Sequence, residues 1–232
     1  GQWTAFRRRP FDRIPSPETS PRSLFVLAMD TQPLAPLPAA VLEGQAQLWS
    51  TGLQALRRLV PDSRVIVCTG PDDAPAVPPV DGIEHHRFDG PHPTGTAGLA
   101  MHLVDPVARH RVCWHLGYQD VTAIGHLFQY GRLGVRRTVS LAGPAVARPT
   151  LLEARLGAAI AALTAGRLAG GDVRAISGSV LNGRRAEAGE QAFLGRYHQQ
   201  VSALPEADQR RFLGWLGPGL GRFSVLRVFA SA

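Results

Sequence analysis

The chain has 232 residues and a net charge of +7, with 44% hydrophobic and 19% charged residues, the balance of an ordinary soluble globular protein. No apolar run approaches the ~20 residues of a membrane-spanning helix. All 25 basic residues are arginine, and apart from residues 7–9 they come singly or in pairs. A nucleic-acid surface needs clustered cations, so this distribution argues against nucleic-acid binding.

Residues 1–22 form an arm in which aromatic side chains alternate with arginines ahead of a proline- and serine-rich connector. Aromatic rings stack on flat surfaces, and a guanidinium group can donate hydrogen bonds to a carbonyl. Two interpretations stay open: the arm docks on a partner or a ring-shaped ligand, or it packs on its own domain. The residues of this pattern are Trp3, Phe6, Arg7, Arg8, Arg9, Phe11 and Arg13.

Residues 23–134 alternate short apolar runs with helical patterns. The first run ends at Asp30 and is typical of a central parallel strand, and Gly117 marks the turn from a later strand into a helix. Strands joined by helices predict a parallel sheet with right-handed crossovers, which is a Rossmann-like three-layer domain. Strands are predicted at residues 23–30, 64–69, 83–88 and 111–116, and helices at 42–60 and 118–131.

Residues 135–232 have a different pattern, with strands that alternate inward and outward residues around one short helix. Two strands, a helix and a further strand predict a β-grasp domain. Asn182-Gly183 is a strong signal for a two-residue turn. The predicted strands lie at residues 138–146, 150–156, 172–180, 197–203 and 222–229, and the helix at 157–165.

The histidines and cysteines do not form a recognisable metal pattern. Cys68 and Cys113 each lie inside a predicted strand and have no CxxC spacing, so we expect reduced thiols. The histidine spacings match no zinc site, and we assign no metal. The four histidines in question are His85, His86, His92 and His102.

A dinucleotide fingerprint needs G-x-G-x-x-G directly after a strand, and the chain lacks one. Residues 95–98 follow a predicted strand without the required spacing, and residues 217–221 precede a strand. Residues 177–180, Ser-Gly-Ser-Val, are similar to a covalent-flavin attachment stretch but lack its terminal threonine. We therefore expect no flavin or nicotinamide cofactor on this chain.

Polar residues at the predicted carboxyl edge of the first sheet are the remaining site candidates. Each of them could instead be a cap or turn residue, and Asp120 could cap its helix. We find no nucleophile beside a base and no acid–base pair in the sequence, so no complete catalytic centre is predicted. These sheet-edge candidates are Asp30, Thr31, Asp89, His92, Gln119 and Asp120.

Eight sequence strings, spread over essentially the whole chain, carry a family resemblance, and they stand in the same order as in that family. They are WTAFRRRPF, FVLAMDTQPLA, FDGPHPTGTAG, WHLGYQDVTAIG, SLAGPAVARP, ISGSVLNG, FLGRYHQQVSAL and GWLGPGLGRFSV. Together they resemble the A subunit of the bacterial sodium-translocating NADH:quinone oxidoreductase. The resemblance covers a middle piece of that protein. Its amino-terminal region and cysteine-bearing carboxy-terminal tail are missing, so we expect a fragment.

The resemblance implies a peripheral subunit on the cytoplasmic face of the bacterial inner membrane. The complex would transfer electrons from NADH to ubiquinone and export sodium, with FMN and the iron–sulfur centre on partner subunits. The second domain would be a soluble-ligand-binding β-grasp (SLBB) domain. This chain would dock on the other subunits, especially the membrane flavoprotein, and would contact the membrane only through them.

Within this family, we expect the chain to bind or shield quinone. A quinone head group offers a flat ring and two carbonyl acceptors, which suit stacking and guanidinium donors. The alternative is a noncatalytic assembly module whose nucleotide-binding fold has degenerated. The quinone-binding candidates are Trp3, Phe6, Arg7, Arg9 and Phe11.

Overall fold

A computed structural model describes residues 1–71 and 75–206. Within these ranges, none of the helices combines the length and hydropathy needed to cross a bilayer. The strand predicted at residues 222–229 and the glycine-rich residues 217–221 lie outside the described residues.

The first sheet has five strands in the order β1-β5-β2-β3-β4. Strands β2 to β5 are mutually parallel, and β1 runs antiparallel to β5 along one edge. The inner strands are almost wholly buried, as their continuous apolar runs predict. The strands are β1 (Arg7–Arg9), β2 (Ser23–Ala28), β3 (Arg64–Thr69), β4 (Ile83–Arg87) and β5 (Cys113–Gly117).

Helices cover both faces of this sheet, which confirms the predicted three-layer architecture. Helices α2 and α4 pack on the face that includes Val26 and Val67, whereas α3 packs on the opposite face with Phe25 and Ile66. Successive strand residues point to opposite faces of the sheet. The side chains on each face are therefore covered by helices. The helices are α1 (Pro38–Leu42), α2 (Ala46–Leu59), α3 (Ala97–Val104) and α4 (Tyr118–Tyr130), preceded by a 3₁₀ helix at Gln2–Ala5.

The single helix predicted over residues 42–60 is wrong at its amino-terminal end. Helix α1 ends at Leu42, and α2 begins only at Ala46. Gly44 between them has φ of +73°, a left-handed conformation that interrupts the helical hydrogen bonds. The apolar period continues across the break, which is why it did not reveal the two elements.

The amino-terminal arm packs on its own domain. The Phe6 side chain is 2% exposed, and its ring centroid lies 5.9 Å from that of Trp114 in β5. The Trp3 ring contacts both, with centroid distances of 5.1 Å to Phe6 and 5.8 Å to Trp114. Of the two interpretations of the arm, the structure shows the second for Trp3 and Phe6.

The second sheet has the strand order β7-β6-β10-β8-β9. Strand β10 is parallel to β6, and all other pairs are antiparallel, which is the topology of the predicted β-grasp. A short helix, α5 (Ile160–Thr164), covers this sheet through Ile160. The strands are β6 (Arg136–Ala142), β7 (Thr150–Arg155), β8 (Val173–Ser177), β9 (Arg184–Arg185) and β10 (Gln200–Pro205).

Several details of the second domain differ from prediction, including strand β6, which ends at Ala142 instead of residue 146. Residues 178–183 connect β8 to β9, so the two-residue turn at Asn182-Gly183 is wrong. Gly178 has φ of +100° and ends the strand three residues early. The last described strand begins at Gln200 instead of residue 197, because the His198 N–H turns back to bond Gly195 O at 3.1 Å.

Both cysteines are free and buried in the first sheet, Cys68 in β3 and Cys113 in β5. Burial raises the pKa of Cys68 to about 12 and that of Cys113 to about 11. Their thiolate forms are therefore scarce at neutral pH, and both side chains serve as core residues.

Helices α2 and α4 approach so closely that glycine is required at their contact. A Cβ atom placed on Gly125 would collide with the backbone carbonyl of Leu48, and one on Gly52 would collide with that of Val121. The two glycines let the helix backbones touch.

We expect Gly125→Ala to lower the free energy of unfolding toward the upper end of the ~1–3 kcal/mol range for overpacking, since backbone atoms must move. Gly98→Ala in α3 is the matched control, because a Cβ there meets no atom within 4 Å. The control should raise stability by up to about 1 kcal/mol. Urea unfolding of both variants checks this, and equal effects would contradict the close helix contact.

Candidate functional site

The first sheet has a topological switch point between β2 and β5. From β2 the chain proceeds to β3 and β4 on one side and then crosses back to β5 on the other. The loops after β2 and β5 therefore diverge, and open α/β sheets bind ligands in the crevice that such divergence creates.

A cleft of about 380 Å³ lies at this switch point, between the first sheet and the second domain. We call it the central cleft. The first sheet contributes residues at the carboxyl ends of β2 and β5, and the second domain contributes the β8–β9 loop and the residues before β10. Residues lining it include Asp30, Gly117, Tyr118, Asp120, Ser179 and His198.

Asp30 is the sheet-edge candidate placed most clearly in the cleft. Its carboxylate accepts a hydrogen bond from the Gln32 N–H at 2.9 Å. Burial is the main influence on this carboxyl and raises its pKa. A carboxyl group in this setting keeps a proton to a higher pH than a solvated one and can then donate it.

Thr31 and His92 fix the loop of residues 89–96 onto the end of β2. The Thr31 hydroxyl accepts a hydrogen bond from the Gly95 N–H at 2.8 Å and lies 3.2 Å from His92 Nδ1. Asp89 is exposed on the same loop and does not line the cleft. Thr31 and His92 therefore hold this loop against the end of β2.

Gln119 and Asp120 join the first domain to the second. The Gln119 amide pairs with both backbone groups of Thr138, donating to its carbonyl at 2.9 Å and accepting from its N–H at 2.8 Å. The Asp120 carboxylate accepts from Arg137 at 3.0 Å and from Arg196 at 2.9 Å. The carboxylate thus binds two guanidinium groups of the second domain.

This three-member ion cluster is buried. The side chains of Asp120 and Arg137 are 8% and 3% exposed, and that of Arg196 is 23% exposed. Burial lowers the pKa of Arg137, and Asp120 opposes that shift. A guanidinium so removed from water depends on its carboxylate partner.

The structure separates the five quinone-binding candidates into three places. Arg7 and Arg9 line the central cleft. Trp3 and Phe6 lie behind them, packed on the core and facing an apolar groove between α2 and α4. Phe11 is 77% exposed on another surface. The guanidinium donors therefore reach the cleft, and the aromatic rings of the arm do not.

Arg7 and Arg9 share the carboxylate of Asp12. Arg7 donates to it at 2.7 Å, and the Arg9 Nε lies 3.5 Å away. His115 Nε2 lies 3.4 Å from the same carboxylate. Hydrogen bonds from His115 and then Arg7 hold the pKa of Asp12 well below its usual range, so it stays ionised at neutral pH.

Tyr197 brings an aromatic ring to the cleft from the second domain. The guanidinium carbon of Arg7 lies 4.8 Å from its ring centroid, and that of Arg196 lies 5.7 Å away. The Tyr197 hydroxyl donates to the carbonyl of Thr4 at 2.8 Å. No sequence pattern pointed to this residue, because 190 positions separate it from Arg7.

Tyr118 is a second cleft residue without a sequence signal of its own. Its side chain is 1% exposed, and its hydroxyl forms no hydrogen bond of good geometry within the described part of the chain. Burial raises its pKa, so the hydroxyl keeps its proton. A buried donor of this kind is available to a ligand in the cleft.

A serine and a histidine meet beside the cleft. Ser177 Oγ lies 2.8 Å from His198 Nδ1 and accepts the Gly195 N–H at 2.9 Å. The serine side chain is fully buried, and burial lowers the pKa of His198. The pair fixes the segment before β10 to the end of β8.

The four histidines considered as metal ligands are dispersed. His85 bonds Thr69 at 2.8 Å, His86 lies 3.4 Å from Glu84, and His92 contacts Thr31. His102 is exposed on α3. Across residues 1–71 and 75–206, no three histidine, cysteine, aspartate or glutamate side chains are grouped as metal ligands would be.

We expect Asp120→Asn to lower the free energy of unfolding by about 3–5 kcal/mol, because it leaves the buried Arg137 without its counter-ion. Glu153→Gln is the matched control, since it breaks the exposed pair of Glu153 with Arg136 and should cost at most about 1 kcal/mol. Denaturant unfolding measures both. Equal losses would show that the buried cluster contributes no more than a surface pair.

Comparisons with known proteins agree with this two-domain architecture. The model of the "NqrA second alpha/beta domain" matches residues 1–133, and that of the "NQRA C-terminal domain", of SLBB type, matches residues 138–188. An NAD+-reducing NiFe-hydrogenase in the H2-reduced state has a TM-score of 0.56 at 13% identity, covering 81% of this chain and 41% of the other. At that identity the likeness shows the fold alone.

Curated relatives match along the full chain. The A subunit of the Na(+)-translocating NADH-quinone reductase of Rhodopirellula baltica is 49% identical over 233 residues, 100% of this chain and 51% of its own length. The corresponding protein of Pseudomonas aeruginosa is 47% identical over 231 residues, with the same coverage. The chain spans about half the length of the curated relatives it matches. One family model alone covers more than half of the chain, and the chain therefore belongs to the NqrA family, the A subunits of Na(+)-translocating NADH-quinone reductases.

Proposed function

We propose that the chain acts within a peripheral subunit of a sodium-translocating NADH:quinone oxidoreductase, on the cytoplasmic face of the bacterial inner membrane. The complex transfers electrons from NADH to ubiquinone and exports sodium. The observation that carries this proposal is the match to the NqrA relatives along the whole chain at 49% and 47% identity.

The role proposed for this chain is to hold or shield the quinone head group in the central cleft. The cleft lies at the switch point where α/β sheets bind ligands. Its lining includes Arg7 and Arg9 of β1 and Tyr118 at the start of α4, and the buried Tyr118 hydroxyl forms no well-aligned hydrogen bond with the described residues. Two quinone carbonyls are acceptors only, so they suit a site that is rich in donors.

The chain's residues would position and polarise the quinone. A guanidinium hydrogen-bonded to one carbonyl favours negative charge on that oxygen as the ring is reduced. Burial raises the pKa of Asp30, so its carboxyl group keeps a proton to a higher pH than a solvated aspartate does. The Tyr197 ring, with the guanidinium carbons of Arg7 and Arg196 at 4.8 and 5.7 Å from its centroid, adds an aromatic group to the same cleft.

The redox cofactors in this proposal belong to partner subunits. FMN and the iron–sulfur centre would lie there, and ubiquinone would be the substrate that reaches this chain. The loop at residues 95–98 lacks the glycine spacing that a dinucleotide phosphate requires. Docking on the membrane flavoprotein subunit would bring the cleft close to the electron supply.

The second candidate is a noncatalytic assembly module. The observation that favours it is the extent to which side chains near the cleft are already paired within the protein: Asp120 with two arginines, and Asp12 with Arg7 and His115. In that case the chain contributes only surfaces that contact other subunits, and the cleft binds no quinone.

Tyr118→Phe separates the two candidates, because it removes only a hydroxyl that forms no well-aligned hydrogen bond with the described residues. We expect saturable quenching of tryptophan fluorescence on titration with a short-chain ubiquinone. The variant should bind about fivefold more weakly, the effect of one hydrogen bond of about 1 kcal/mol, with no loss of stability. Arg9→Gln should weaken binding about tenfold.

Arg132→Gln is the matched control, because that arginine is exposed and lies outside the cleft. It should bind quinone as the parent does. In the whole complex, Arg9→Gln should slow quinone reduction and leave NADH oxidation by an artificial acceptor intact. Absence of saturable binding by the parent chain would instead support the assembly module.

A further inference from the structure

Two tight turns lie side by side at the β1 edge of the first sheet. Arg9 and Asp12 of the first turn line the central cleft, whereas Phe11 does not. The first is closed by Arg8 and Arg13, whose backbones bond each other at 2.7 and 3.3 Å. The second is closed by Ala108 and Arg111, at 3.2 and 3.0 Å. A shallow pocket lined by Pro10, Phe11, Val107, Ala108 and Arg109 joins them. We call this surface the two-turn patch.

The first turn holds an aromatic ring out into solvent. Phe11 is 77% exposed, and Ile14 and Val107 are 45% and 38% exposed. Phe11 also has φ of +75°, a conformation that a bulky residue adopts only where surrounding structure imposes it. The ion pairs of the next residue, Asp12, with Arg7 and Arg9 supply that constraint.

The two-turn patch has a surplus of positive charge. The side chains of Arg13, Arg109 and Arg111 are exposed, and within the described residues none of them forms an ion pair or a side-chain hydrogen bond. The neighbouring carboxylates are already neutralised, Asp12 by Arg7 and Arg9 and Asp105 by Arg22. The charge of these three guanidinium groups is therefore available to an external partner.

We propose that the two-turn patch docks directly on an anionic phospholipid surface, with the three arginines at the headgroups and Phe11 in the interfacial layer. Arginines near an anionic leaflet attract its phosphates, and aromatic rings favour the membrane–water boundary. This contact does not depend on quinone binding or on the proposed complex. It departs from the expectation, implied by the family resemblance, that the chain contacts the membrane only through partner subunits.

The shape of the patch favours a lipid surface over an acidic protein segment. An acidic peptide segment is typically bound in a groove that accepts its side chains, whereas here the Phe11 side chain protrudes from the tip of a turn. A protruding ring surrounded by cations matches a soft layer of anionic headgroups above an apolar interior. The interaction should be reversible and should weaken with salt, because it depends largely on charge.

Vesicle flotation of the chain tests the proposal, with vesicles of phosphatidylcholine alone and of phosphatidylcholine mixed with phosphatidylglycerol. We expect binding only to the anionic vesicles and its loss at high salt. Each arginine contributes about a fivefold change in partitioning, so Arg13→Gln with Arg109→Gln should bind about 25-fold more weakly. The control pair, Arg132→Gln with Arg148→Gln, removes the same charge from exposed sites elsewhere and should bind as the parent does.

Phe11→Trp reports which surface meets the bilayer. Its added fluorescence should shift to shorter wavelength on anionic vesicles and be quenched by brominated lipid. Phe128→Trp, at an equally accessible ring position on α4 (68% exposed), should show neither effect. Equal weakening by both arginine pairs, a response at residue 128 alone, or no binding to anionic vesicles would overturn the proposal. The last result would leave an acidic protein surface as the occupant of the patch.

Discussion

The first turn of α4 is the constraint on which the rest of this structure depends. Strand β5 ends at Gly117, and the next three side chains are all buried but point to different parts of the molecule. Tyr118 faces the central cleft, Gln119 pairs with the edge of β6, and Asp120 binds two arginines of the second domain. One strand-to-helix junction therefore forms a wall of the cleft and also attaches the domain that closes it.

The two domains are joined mainly by polar groups. Besides the contacts of α4, Gln200 donates to the carbonyl of Pro33 and Ser140 donates to that of Leu34, at 2.9 and 2.8 Å. Such bonds require defined geometry, and their loss leaves buried groups unpaired. They specify one relative placement of the domains, which apolar packing alone would determine less sharply. A cleft lined by both domains depends on that specificity.

The opposite side of the first domain is organised by close packing instead. The two glycines at the α2–α4 contact allow the helix backbones to touch. The Trp114 side chain of β5 packs against the rings of Trp3 and Phe6 in the arm. This apolar side explains why Trp3 and Phe6 of the arm are not available to a ligand in the cleft. Their rings extend the core beyond β1, whereas Arg7 and Arg9 of β1 line the cleft.

The sequence by itself determined the fold class and most element positions, because apolar periods of two and 3.6 residues record which side of each strand and helix is buried. It also placed Asp30 and Asp120 at the carboxyl edge of the first sheet, where both line the central cleft, since parallel strands present their carboxyl ends together. Only the tertiary structure decided which candidates share a site. It brought Tyr197 and His198 beside Arg7 and Tyr118 and left Trp3 and Phe6 in the core, because contacts between residues distant in the chain have no local pattern. Side-chain exposure is likewise a property of the packed molecule, so the same arginine–aromatic arm contributes to the core, the cleft and an open surface.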